Sequence, residues 1–153
     1  MTEIPLRRFT ARVLPVDSHG RVLLLRGFDP ARPDAPYWFT IGGAAEEAET
    51  LEQAAARELF EEVGITAAPE SFGRPLETHT VEFSFGDRAY VQDQTYFPVR
   101  VDAAEVRFDH MEEIELATTL GHHWWGADEL ESSGDVYYPE ILPSLIRKAA
   151  TPG

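Results

Sequence analysis

The chain contains no cysteine, which excludes disulfides, thiolate nucleophiles and any zinc site built on cysteine. It also lacks an apolar run approaching the ~18 residues of a membrane helix, so no membrane partner is expected. The opening residues, MTEIPLRRFTARV, carry no apolar core and no small-residue cleavage site, and a cytoplasmic location is the expectation. Basic residues are scarce: 13 Lys and Arg stand against 27 Asp and Glu, a formal charge of −14. Such a surface repels a nucleic acid polymer and anionic lipid alike. A small phosphorylated substrate would be repelled too, unless a bound cation reverses the field locally.

What is present suits one folded unit. With 153 residues, 43% of them hydrophobic, residues 1–153 are read as a single domain with its own core. Phe9 to Val16 and Arg21 to Arg26 flank Asp17-Ser18-His19-Gly20 and predict a hairpin. PDAPYWFTIGG predicts a loop, a short aromatic strand from Trp38 to Ile41, and a glycine pair. Thr50 to Val63 is the clearest helix. Thr50 with Gln53 matches a capping box, Leu51, Ala55, Leu59 and Val63 form an apolar stripe, and Gly64 is placed to end it. Val81 to Phe85 and Ala89 to Val101 predict a second hairpin about Gly86-Asp87, with Pro98 marking an edge or a bulge. HHWW reads as one more strand, and Pro139 as the start of a helix reaching about Ala149. Strands around a central helix, with another helix at the end, predict a mixed α/β layered domain.

The segment RELFEEVG, residues 57 to 64, places Glu58, Glu61 and Glu62 along one side of that helix, near its C-terminal rim. Like charges four apart cost roughly 0.2–0.5 kcal/mol per pair, and the helix dipole opposes anions at this end. Arg57, four residues before Glu61, offsets only part of this. A solvated face would account for an arbitrary run of acids. A hard divalent cation accounts for this one better, because it prefers carboxylate oxygens and shares its shell with substrate phosphates. Mutual repulsion should also raise a carboxyl pKa, which suits a general base.

Gly43, Glu49, Arg57, Glu58, Leu59, Glu61, Glu62, Gly64 and Ile65 stand at fixed distances. The order is glycine, five residues, glutamate, seven residues, then Arg-Glu-aliphatic-x-Glu-Glu-x-Gly-aliphatic. This resembles the Nudix box, and every specified position is met. ARVLPVDSHGRVLLLRG before it and HHWWGADEL after it resemble the flanking strands of Nudix hydrolases, which extends the likeness up to Leu130. The resemblance implies an α/β/α sandwich with a mixed sheet, whose loop–helix–loop cradles Mg²⁺ or Mn²⁺ against a diphosphate. It implies Glu61 and Glu62 as metal ligands, and Glu58 as a further ligand or the water-activating base, oriented by Arg57. The Gly42 carbonyl would complete the shell, and Glu49 would brace the loop or bind metal through water. A late loop would add one more acid, with Glu112 and Glu113 ranked level and Glu115 slightly behind. The implied reaction is hydrolysis of a pyrophosphate linkage in a nucleoside diphosphate-X compound. A nucleoside triphosphate ranks first, ADP-ribose, another nucleotide sugar or a dinucleotide second, and a non-catalytic nucleotide-binding regulator is the competing class. Homodimers are common in such a family. Ala48 departs from the glycine that many members carry there, which bears on the shape of the loop.

Outside the box, Arg12 and Arg26 sit on the early strands and are candidates to hold a phosphate, although lone strand arginines commonly serve in ion pairs. Tyr37 and Phe39 can stack a base, while strand alternation turns Trp38 to the opposite face; which side forms the pocket stays open, as do the roles of Phe28 and Asp29. His122 and His123 are adjacent in a strand, so they cannot reach one ion. Tyr137 and Tyr138 are expected to anchor the last helix.

Overall fold

The computed structural model describes residues 4–102 and 106–151. The two apolar runs near the N-terminus become β1 (Leu6–Val16) and β2 (Val22–Asp29). Between them the Asp17 carboxylate accepts the amides of His19 and Arg21 and shapes the turn. The expected hairpin holds only at its base. Val16 faces Val22, and beyond that pair the strands part. β1 instead runs parallel to β6 (Arg88–Arg100), from Leu6 opposite Tyr90 to Val16 opposite Arg100. On its other side β1 pairs antiparallel with the short β4 (Ile41–Ala44). β2 is flanked by β3 (Arg32–Phe39) and β7 (Thr119–Trp125), both antiparallel. β5 (Glu77–Phe85) closes the first arm as the outer neighbour of β6, the second expected hairpin. The seven strands thus form one mixed sheet that forks.

The aromatic strand is longer than expected and breaks earlier. It begins at Arg32, passes through Pro33 and Pro36, and stops at Phe39; Thr40 then redirects the chain into β4. Prolines are tolerated because β3 is an edge strand, where a missing N–H removes no ladder bond. Pro98 is explained similarly: it lies past the last β5–β6 pair, Glu77 with Tyr96.

Both faces of the fork are covered where β1 and β2 meet, which is why Val13 to Val16 and Val22 to Leu25 are apolar without a break. On one face α1 (Leu51–Val63) lays Ala54, Ala55, Leu59 and Val63 against Ala11, Val13, Leu23, Leu25 and Ile41. On the other, α3 (Ala127–Ser132) and α4 (Leu142–Ala150) bring Leu130, Leu142, Leu145 and Ile146 against Leu14, Val16, Leu24, Trp38 and Trp125. Each fully buried aliphatic side chain contributes about 1.5–3 kcal/mol. The last helix starts later than Pro139. It begins at Leu142 with Pro143 in its first turn, while the Pro139 carbonyl accepts the Leu142 amide in a preceding turn. Among the described residues no helix is long and apolar enough to cross a membrane.

Candidate active site

α1 carries its local instructions as written. Thr50 accepts the Gln53 amide and Gln53 answers the Thr50 amide, completing the capping box. Gly64 ends the helix at φ +74°, a left-handed conformation that costs glycine little. This fixes the rotation of the helix, and with it the directions of the acids.

Glu62 is not at the rim. It is only 3% exposed, and its Oε2 accepts the Gly42 amide at 2.7 Å. Gly42, at φ +143°, could carry no side chain, because a Cβ would collide with the Ala11 carbonyl. At Gly43 a Cβ would lie 2.6 Å from Glu58 Oε1. The glycine pair of β4 therefore lets two carboxylates press against backbone. A third arrives from α2 (Glu113–Thr118). Oxygens of Glu58, Glu62 and Glu115 all lie within 4.8 Å of one another. Of the three late acids it is Glu115 that reaches the cluster; Glu112 serves as the N-cap of α2, and Glu113 is exposed in its first turn.

Burial raises the pKa of Glu62 well above the usual carboxylate range, with Arg12 pulling it back. Burial raises Glu58 as well, opposed by Arg57, and raises Glu115. Arg57 is the counterweight. Its Nε and Nη2 grip Glu49 at 2.8 and 2.9 Å, its Nη1 donates to Glu58 at 2.9 Å and to Glu61 at 3.2 Å, and its Nη2 also reaches the Ala44 carbonyl. The hydrogen bonds from Arg57 hold Glu49 below the usual range. Glu49 in turn accepts the Glu46 amide, bracing the loop before the helix. In that loop Ala48 adopts φ +67°, so the turn keeps the conformation glycine would take most easily. Glu61 leans toward Arg57 beside the cluster.

The chemistry of this donor set fits a divalent cation. Three carboxylates converge and one is buried, yet the nearby guanidinium engages only Glu58 among them. Hard cations favour such oxygens.

The remaining candidates lie around the gap of the fork. Arg12 donates Nε to Thr40 Oγ1 at 2.9 Å and Nη2 to the Thr40 carbonyl. Arg26 stands 5.6 Å over the Trp38 ring, its Nε buried without a partner. Trp38 is buried, whereas half-buried Tyr37 and Phe39 share the other face, 5.6 Å apart. Asp29, buried, accepts the Gly86 amide at 2.7 Å and so ties the tip of the β5–β6 hairpin to the end of β2. The arms of the fork, joined at Val16–Val22, meet again there. His122 packs on Phe108 and His123 on Trp125, on opposite faces as alternation requires. Tyr138 packs against Tyr37 and Tyr137 bridges to Trp38, both on the approach to the last helix. Arg8, which the sequence pattern did not mark, projects from the same face of β1 as Arg12; its period-two spacing from Arg12 was the available signal.

Comparison with known proteins agrees with this geometry. A family model described as the NUDIX domain matches residues 6–145. No curated protein matched the chain. Among solved structures, a MutT protein from Methanosarcina mazei Go1 superposes at TM-score 0.65 and 20% identity, covering 97% of this chain and 96% of that one. The dihydroneopterin triphosphate pyrophosphohydrolase of E. coli does so at 0.61 and 21%, covering 95% and 97%. A C. elegans Ap4A hydrolase gives 0.57 and 20%, covering 92% and 93%. At these identities the structures speak for the fold alone, a mixed curled sheet between helices. The matched domain, together with the acid-bearing helix that sits where its sequence pattern requires, establishes that this chain belongs to the NUDIX family of hydrolases.

Proposed function

We propose that the protein hydrolyses a pyrophosphate linkage in a nucleoside diphosphate-X compound, with Mg²⁺ or Mn²⁺ as cofactor and nucleoside triphosphates as the first substrates to consider. The observation that carries this reading is the convergence of Glu58, Glu62 and Glu115, with Glu62 buried. An anionic substrate could not approach these carboxylates on a chain of charge −14 without a cation between. Glu58, Glu62 and Glu115 would hold the metal, with Glu61 beside them. A divalent ion there supplies charge neutralisation at the phosphates and a lowered pKa for bound water. The chain supplies the rest. Arg57 fixes Glu58 and Glu49 so that the carboxylates need not reorganise, and preorganised charge of this kind is the larger part of such catalysis. Glu58, held by Arg57 beside the other two carboxylates, is placed either to join the metal's shell or to take the proton of the attacking water as the phosphorus–oxygen bond breaks. Arg12 and Arg26 would hold phosphate, and Tyr37 and Phe39 offer ring faces for a base.

Two neighbours are named for activities on a triphosphate and on Ap4A; ADP-ribose and other nucleotide sugars form the alternative class. A panel of these compounds with Mg²⁺ or Mn²⁺, read out as phosphate, pyrophosphate and nucleoside monophosphate, identifies both substrate and bond. Glu62→Gln should lower metal-dependent turnover by at least about a hundredfold. Turnover that survives this change nearly intact rejects the metal-centred reading, and nucleotide binding without any turnover identifies a regulator instead.

A further inference from the structure

In a chain with twice as many acids as bases, a guanidinium ordinarily finds a carboxylate. Arg7, Arg21, Arg32, Arg57, Arg107 and Arg147 all do. Among the described residues the exposed Arg74 and Arg100 do not, nor do three half-buried ones: Arg26, stacked over Trp38, and, together on β1, the pair Arg8 and Arg12. Arg8 and Arg12 project from the same face of β1, two pleats apart, with the buried Thr10 hydroxyl between them also lacking a partner. Each is held by neutral groups. Arg8 lies 4.3 Å over the Tyr90 ring, and with the Gln92 amide turned so that its oxygen faces the guanidinium, Arg8 donates Nε, at 2.9 Å, and Nη2 to Gln92 Oε1. Arg12 is anchored through the same two nitrogens to Thr40. In both cases Nη1 has no hydrogen-bond partner among the described residues.

The anchors pull in opposite directions. Gln92 belongs to β6, on one side of β1, and Thr40 precedes β4, on the other. The two Cα atoms are about 13 Å apart along the strand, and heads pinned to opposite sides do not close on a single phosphate. Both nevertheless share a neighbourhood with the acid cluster: Arg8 feels the charges of Arg12 and Glu58, and Arg12 that of Glu62. Two partly buried cations held outside any ion pair carry a desolvation cost that an extended anion lying along them would offset.

We propose that Arg8 and Arg12 form a rail for a run of three or more phosphates, so that the enzyme prefers nucleoside triphosphates to diphosphates capped by a neutral sugar. This rests on the hydrolase reading above and adds Arg8, with its Tyr90 and Gln92 supports, as the residue that sets selectivity. The neutral anchors leave neither guanidinium in an ion pair, so both stay available to a polyphosphate on a surface that is otherwise acidic.

The test compares kcat/KM for a nucleoside triphosphate and for ADP-ribose in the wild type, Arg8→Gln and Arg8→Lys. Arg8→Gln should lower the triphosphate value at least tenfold more than the ADP-ribose value, chiefly through KM. Arg8→Lys should recover part of that difference, since it restores the charge but not the planar fork. A loss shared equally by both substrates, or a wild type that favours ADP-ribose, overturns the rail while leaving the hydrolase reading in place. A measurement on the unmodified protein guards against a variant that folds poorly: with Mg²⁺ present, inorganic tripolyphosphate should displace a fluorescent nucleotide at a concentration at least tenfold lower than pyrophosphate does. Equal displacement rejects the rail. Because it needs no turnover, this arm reads the rail even if no compound is hydrolysed.

Discussion

Glu62 brings a carboxylate into the interior, where the Gly42 amide and the charge of Arg12 only partly compensate it, and that cost can be measured. Burial raises its pKa in the folded chain, while the unfolded chain titrates near the ordinary value of about 4.3. The folded form therefore binds the proton more tightly. Its stability is greatest below the unfolded pKa and declines as pH rises through the folded one. In EDTA, Glu62→Gln should melt higher than the wild type at neutral pH, by a margin that shrinks toward about pH 4. Added Mg²⁺ should raise the wild-type melting temperature and leave the variant nearly unmoved. Thermal melts across this range check both; a wild type that shows no such relative loss in EDTA would mean that the carboxylate is better compensated than its contacts indicate. The sequence marked Glu62 as one of three acids on a rim. It could not distinguish the buried member, because spacing along a helix gives neighbours but not depth. The late acids posed a similar difficulty: HMEEIELA contains three, and only the placement of α2 turns Glu115 inward.

At the level of elements, α1 was the most legible part of the chain because all its determinants are local. Thr50, Gln53 and Gly64 define its ends within a few residues of each other, and the apolar stripe defines its face. The cap contributes stability in the ordinary way: Thr50→Ala should cost about 1 kcal/mol, lowering the melting temperature by about 2–4 °C. Circular dichroism on heating reads this directly, and no change would show that the glutamine and the loop hold the N-terminus without the threonine. The strands were less legible because their partners are distant. β3 runs through two prolines that sequence alone reads as a loop, and it is a strand only because its outer side needs no ladder. The first hairpin failed for the same reason. A turn between two apolar runs predicts pairing, but β1 is eleven residues long and finds a partner of matching length only in β6.

For the molecule as a whole, the fork makes a sheet whose middle and margins differ in exposure to solvent. β1 has neighbours on both sides and layers above and below, while β5 has one neighbour and half-exposed faces. Amide exchange should therefore be slowest at Ala11 to Val13 and in the facing Thr95 to Phe97, and faster along the free edge of β5. Mass spectrometry of exchanged peptides measures the order, and protection of β5 equal to that of β1 would reveal a covered edge, such as a second copy of the chain. The parallel pairing of β1 with β6 also bears on how the protein is born. On the ribosome β1 emerges first, yet the strand that completes it is made only after the acid-bearing helix and the β5 hairpin arm have left the exit tunnel. Until then its two apolar faces are without their final neighbours, so the nascent chain passes through a period in which β1 depends on delay, dilution or a chaperone to avoid the wrong partner.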